Sequence, residues 1–140
     1  MIGSDCTSSY FIIILAVMSI HSKIIASVKD QFSDRFRVFD NTESDKKVVG
    51  GQFPDIILMR PEPPPNSDIL FIMKIETINA NLVDSVSEWK ALGSAPSVFY
   101  IVVPKEKLDE AKKLVSATNV RARFAFYEME GDILKQIQYE

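Results

Sequence analysis

The segment from Ile69 to Thr77, "ILFIMKIET", constrains this chain more than any other. It is short, almost wholly apolar and rich in β-branched side chains, and it follows "RPEPPPNSD", which has four prolines in nine residues. Such a connector can continue neither a helix nor a strand ladder. An apolar run without alternation reads as a strand buried on both faces, so the chain must supply a sheet around it and cover for both sides. At 140 residues it is long enough to do so as one domain, burying roughly two-thirds of the surface its unfolded form exposes.

Two charges interrupt the run. Lys74 and Glu76 fall on the same face, with Met73, Ile75 and Thr77 on the other, and same-face neighbours lie ~6.6 Å apart along a strand. An unpaired ion in a buried strand is costly enough that it must be paired, metal-bound or neutralised. Upstream, Phe53 to Met59 ("FPDIILM") reads as a second strand. If it pairs antiparallel with Ile69 to Thr77 through the proline connector, Asp55 lies beside the end of the strand that carries Lys74 and Glu76. Carboxylates from two strands beside a lysine can hold Mg²⁺ or Mn²⁺ through oxygen and water, and the metal can activate a water for phosphodiester attack.

The remaining pattern surrounds these strands. Ile20, Ile24, Ile25, Val28 and Phe32 recur at helical spacing. Phe36 to Phe39 has strand character, Asn41 to Lys47 is turn-like, and Val48 to Gly51 leads into the next strand. Asn79 to Leu92 is predicted helical, with Leu82, Val86 and Trp89 on one face and Gly93 as its stop. Ser97 to Val103 is a buried strand, Lys105 to Thr118 a charged helix with a stripe of Leu108, Ala111, Leu114 and Val115, and Val120 to Met129 a last strand. Asp132 to Tyr139 is predicted as a short tail helix. The predicted order is α-β-β-β-α-β-α-β, an α/β architecture with a mixed β-sheet flanked by helices.

The N-terminal run "YFIIILAVMSI", Tyr10 to Ile20, is about half the length of a spanning helix, and Met1 to Tyr10 lacks the positive charge of a secretory signal. Two readings stay open. Either the run begins a buried element, or the protein starts at Met18 and residues 1–17 are an extension to a single domain over 18–140. Weak membrane association through this run is the less favoured reading.

Composition removes several function classes. Charged residues make up 25% and apolar residues 46%, ordinary for a globular domain. The single cysteine, Cys6, can form no intrachain disulfide, which fits a reducing, cytoplasmic setting. One histidine, His21, without a nucleophile elbow leaves no basis for a Ser or Cys triad. Gly50, Gly51 and Gly93 fit no phosphate-binding loop. A net charge of −3 argues against a uniformly basic surface, although Pro104 to Arg123 carries six basic residues against three acids. Carboxylate chemistry is the enzymatic option that remains.

The layout "GGQFPDIIL", connector, "FIMKIET", a helix containing "SEW", then "FYIVVP" resembles the PD-(D/E)XK, or restriction-endonuclease-like, superfamily over roughly Val48 to Pro104. The resemblance implies that Asp55, after Pro54, ligates metal and that the chain acts on DNA as a Mg²⁺- or Mn²⁺-dependent endonuclease. That family's next motif is an acid, any residue, then usually lysine, and some members show a second acid followed by threonine or serine. Here Lys74 stands at the acid position and Glu76 at the usual lysine position. Under the resemblance Asp55 and Glu76 would be metal ligands and Lys74 would orient water or steady developing negative charge. The family also draws site residues from its first helix and from the helix after the lysine strand. Asp30 and His21 are the candidates in the first and Glu88 in the second, with Ser85 one turn earlier. Trp89 reads as core. The exchanged order supports a second implication, an inactive nuclease-like domain that binds DNA or a protein partner, for instance through Lys105 to Arg123. A homodimer would accompany double-strand cleavage, but no segment identifies an interface.

Overall fold

The computed structural model describes residues 19–42, 46–62 and 68–140. The apolar run from Tyr10 to Val17, Cys6, Met18 and the prolines at 63–65 lie outside them. Ser19 opens the first helix, α1 (Ile20–Phe32), by accepting the Ser22 N–H on its hydroxyl. Ile24, Ile25 and Val28 form its buried stripe. Three antiparallel strands follow: β1 (Arg37–Asp40) on β2 (Ile56–Met59), and β2 on β3 (Ile69–Ile75), with Ile57 opposite Ile72. The expected pairing of the "PD" and "KIE" strands is present.

β3 then runs parallel to β4 (Val98–Pro104), and β4 parallel to β5 (Arg123–Tyr127). Parallel neighbours require crossovers. Helix α2 (Leu82–Gly93) makes the first; a 3-10 turn (Lys105–Lys107) and helix α3 (Leu108–Thr118) make the second. The six-stranded mixed sheet is ordered β1-β2-β3-β4-β5 followed by a short strand at Gln138–Tyr139 (β8), and its two faces form two cores. Ile57, Ile72, Phe99 and Ile101 pack under α2 and α3, with Leu82, Trp89, Leu92 and Ala111. Ile56, Leu58, Met73, Ile75 and Val102 pack under α1, with Ile24, Ile25 and Val28. β3 therefore buries Met73 and Ile75 on one face and Ile72 on the other, as a mainly apolar strand covered on both faces requires.

The tail is the main correction. Asp132 to Tyr139 is not a helix: β6 (Met129–Glu130) and β7 (Ile133–Leu134) form a small hairpin about Gly131, whose φ of +62° suits glycine, and β8 (Gln138–Tyr139) pairs antiparallel with β5. Without β8, β5 would present an unpaired edge. Ile137, 2% exposed, anchors the tail beneath α1. A second correction concerns Gly93, which is the last residue of α2 rather than its stop. A Cβ there would stand 2.6 Å from the Arg121 carbonyl oxygen, so glycine is required by close backbone approach. The helix is capped instead by Ser94.

Candidate functional site

Asp55, just before β2, lies beside the C-terminal end of β3, at the end of this strand pair far from the proline connector; there Lys74 reaches Asp55 and Glu88, and Glu76 turns under α2. Pro54 has no N–H to give a ladder, so β2 begins after it. Asp55 continues the pairing through its own N–H to the Met73 carbonyl at 2.9 Å. Its Oδ2 accepts the Ile75 N–H at 2.7 Å, tying the carboxylate to the next strand. The turn is held from behind by Asn41, only 2% exposed, whose amide donates to the Pro54 and Lys47 carbonyls at 2.8 and 2.9 Å. Asn41 also accepts the Lys47 N–H at 2.7 Å. Nothing in the sequence around Asn41 announced this role. Its only signal is a turn-forming residue directly after a strand.

Lys74 emerges from β3 on the α2 side. Its Nζ lies 3.2 Å from Glu88 Oε1 and 3.8 Å from Asp55 Oδ2. Burial works against the ammonium most strongly, yet Asp55, Glu88 and Glu76 together outweigh it and hold Lys74 above its ordinary pKa. His21, at the start of α1, approaches from the other side, with Nε2 4.0 Å from Asp55 Oδ2. The cluster is thus one cation between two carboxylates, with an imidazole at its edge.

Glu76 is 5% exposed and turned into α2. Oε1 accepts the Ser85 hydroxyl at 3.0 Å, and Oε2 accepts the Trp89 indole N–H at 3.1 Å. Trp89 is core as expected, fully buried, but its one polar atom exists there because Glu76 receives it. Burial raises the Glu76 pKa, and the two hydrogen bonds and Lys74 recover only part of that shift. The strand beneath is pinned by Tyr127, whose hydroxyl donates to the Glu76 carbonyl at 2.8 Å. Burial first, then Glu106 and Glu76, push that hydroxyl up to about 12.

The structure therefore brings Asp55, Lys74, Glu88 and His21 together, and places Glu76 with Ser85 and Trp89. Asp30 stands apart. It is exposed, nine residues beyond His21 or ~13.5 Å along the helix axis at ~1.5 Å per residue. Among the described residues, no three His, Cys, Asp or Glu side chains are placed together to hold a metal ion, and no helix is long and apolar enough to cross a membrane. No protein-family model, curated protein or solved structure matches the chain.

Proposed function

We propose that this chain is a restriction-endonuclease-like domain whose metal-bearing corner has become an ion-paired lock, and that it works by binding DNA rather than by cutting it. The observation that carries this reading is the position of Lys74 Nζ between Asp55 and Glu88. A lysine at the motif's acid position supplies, from within the chain, the positive charge that those carboxylates would otherwise draw from a divalent ion. Glu76, the other expected ligand, has both oxygens engaged by Ser85 and Trp89. Holding Mg²⁺ or Mn²⁺ would require Lys74 to leave and Glu76 to give up a buried tryptophan N–H, so the donor set in this arrangement does not fit the metal. The element order α1-β1-β2-β3-α2-β4-α3-β5 supports the family reading.

For DNA, much of the basic stretch after Pro104 is already engaged. Lys105 pairs with Glu128, Lys112 with Glu140, and Lys107 donates to the Ala80 carbonyl. Lys113, Arg121 and Arg123 make no ion pair among the described residues, and Arg121 and Arg123 line one polar cavity beside Ser97. Three phosphate contacts give a log–log salt slope of about −3 for duplex DNA, since each neutralised phosphate releases about 0.9 counterion. Electrophoretic or fluorescence titrations against salt should return that slope, and the triple substitution K113A, R121A, R123A should abolish it. Salt-insensitive or absent DNA binding would transfer the role to a protein partner.

A second reading, retained Mg²⁺- or Mn²⁺-dependent hydrolysis, draws on Asp55 Oδ1, which accepts no hydrogen bond among the described residues. It also draws on the access to solvent at His21. In that reading Lys74 steadies charge on the attacked phosphate. Nicking of supercoiled DNA that disappears in Asp55→Ala would establish it.

A further inference from the structure

On the sheet face opposite Lys74, five aromatic rings form a closed circuit. Phe32 meets Phe36 at 6.2 Å, Phe36 meets Phe71 at 5.5 Å, and Phe71 meets Tyr100 at 6.3 Å. Tyr100 meets Tyr139 at 5.7 Å, and Tyr139 returns to Phe32 at 5.4 Å. Together they line a cavity of 350 Å³, with Met73 and Leu58 behind them and Arg35 beside them. That volume lies at the small end of ligand sites, which run ~300–1,000 Å³.

We propose that this cavity binds a small planar aromatic acid, its ring among the five side chains and its carboxylate on Arg35 and Tyr100. Four of the five ring pairs meet edge to face, at interplanar angles from 61° to 88°. Such a wall offers a guest both electron-poor edges and electron-rich faces, which an aromatic ring matches on both counts and a saturated chain only through its C–H groups on the faces. The polar groups at the cavity set the charge. Arg35 keeps its side chain 61% exposed while its guanidinium rests 5.2 Å over Phe32, which places it at the rim. Its acidic neighbour, Asp34, is 3.7 Å from Nε and 78% exposed, a solvent-screened pair, and Nη2 makes a long 3.5 Å contact to the Gln31 carbonyl, so Nη1 is the donor left for a carboxylate. The two tyrosines differ in the same direction. Tyr139 already donates to Gln31 at 3.0 Å, whereas the Tyr100 hydroxyl makes no hydrogen bond among the described residues and, not being a buried orphan, is open to solvent with a proton to offer. The site is separate from the Lys74 cluster and does not depend on whether DNA is bound or cut.

Three probes with one ring and different head charges test this: benzoate, benzyl alcohol and benzyltrimethylammonium, with hexanoate as the aliphatic acid. Each is titrated into the full chain labelled at methionine methyls, and Met73, 2% exposed and lining the cavity, reports occupancy. Benzoate should bind most tightly and shift Met73. R35A, at an exposed position, should weaken benzoate about tenfold, to the level of benzyl alcohol, as expected for loss of a charge-assisted contact. Y100F should weaken it less. Four results would overturn the proposal: no Met73 shift with any probe, tighter binding of benzyltrimethylammonium, hexanoate binding as well as benzoate, or benzoate affinity unchanged in R35A.

Discussion

Replacing Glu76 by alanine and by glutamine separates two contributions of its carboxylate. E76A leaves the fully buried Trp89 N–H without an acceptor and should cost about 1–3 kcal/mol in chemical denaturation. E76Q keeps an acceptor for that N–H and removes a buried charge, so it should be neutral or stabilising. The sign of the pH dependence follows from the raised pKa. The folded state holds the Glu76 proton more tightly than the unfolded state does, so this group's contribution is full below its ordinary 4.5 and is lost as pH rises through the folded value. E76Q should flatten stability over that window, as read by denaturant midpoints on either side. Lys74 is also raised, above 10.5, so its contribution is present at neutral pH and disappears as pH climbs through its folded value. K74M should remove that alkaline loss and destabilise the protein at pH 7, because Asp55 stays buried without its counter-charge.

The strands and helices were legible wherever one face had to be apolar. Ile24, Ile25 and Val28 fixed α1, and the apolar Ile69 to Ile75 run, broken only by Lys74, fixed a central strand. The tail was not legible, because its two-residue strands carry too short a pattern to show a period. Ile133, Ile137 and Tyr139 can be read at helical or at strand spacing, and what decides is the unsatisfied edge of β5, a long-range fact. Ile137→Ala should therefore cost about 2–5 kcal/mol, the usual range for emptying a buried aliphatic site. It should also speed hydrogen exchange at the Glu140 N–H, which bonds to the Phe124 carbonyl. Gly93→Ala should destabilise despite alanine's better helix propensity, because the added Cβ meets the Arg121 backbone. At the site, "PD" and "KIE" announced their pairing. The supports behind it, Asn41 in the turn after β1 and Tyr127 at the end of β5, come from elements that no local pattern ties to Asp55 or Glu76.

For the whole molecule, the sheet brings one charged cluster to the α2 side and one aromatic cavity to the α1 side, and β3 contributes to both. Lys74 decides the reading of the first. Exchanging both residues, K74E with E76K, to give an acid-x-lysine order would place an ammonium against the buried Trp89 N–H, two donors facing each other, and should unfold the corner. K74E alone is the informative change, because it removes the internal cation and leaves Asp55, Glu76 and Glu88 in place. The most direct measurement is plasmid nicking by the unaltered chain, by D55A and by K74E, each with Mg²⁺ or Mn²⁺, alongside calorimetric titration of Mn²⁺ into the unaltered chain and K74E. An internal lock predicts no nicking and no Mn²⁺ uptake by the unaltered chain, and Mn²⁺ uptake with restored thermal stability in K74E. Metal-dependent nicking by the unaltered chain that is lost in D55A and in K74E would contradict it.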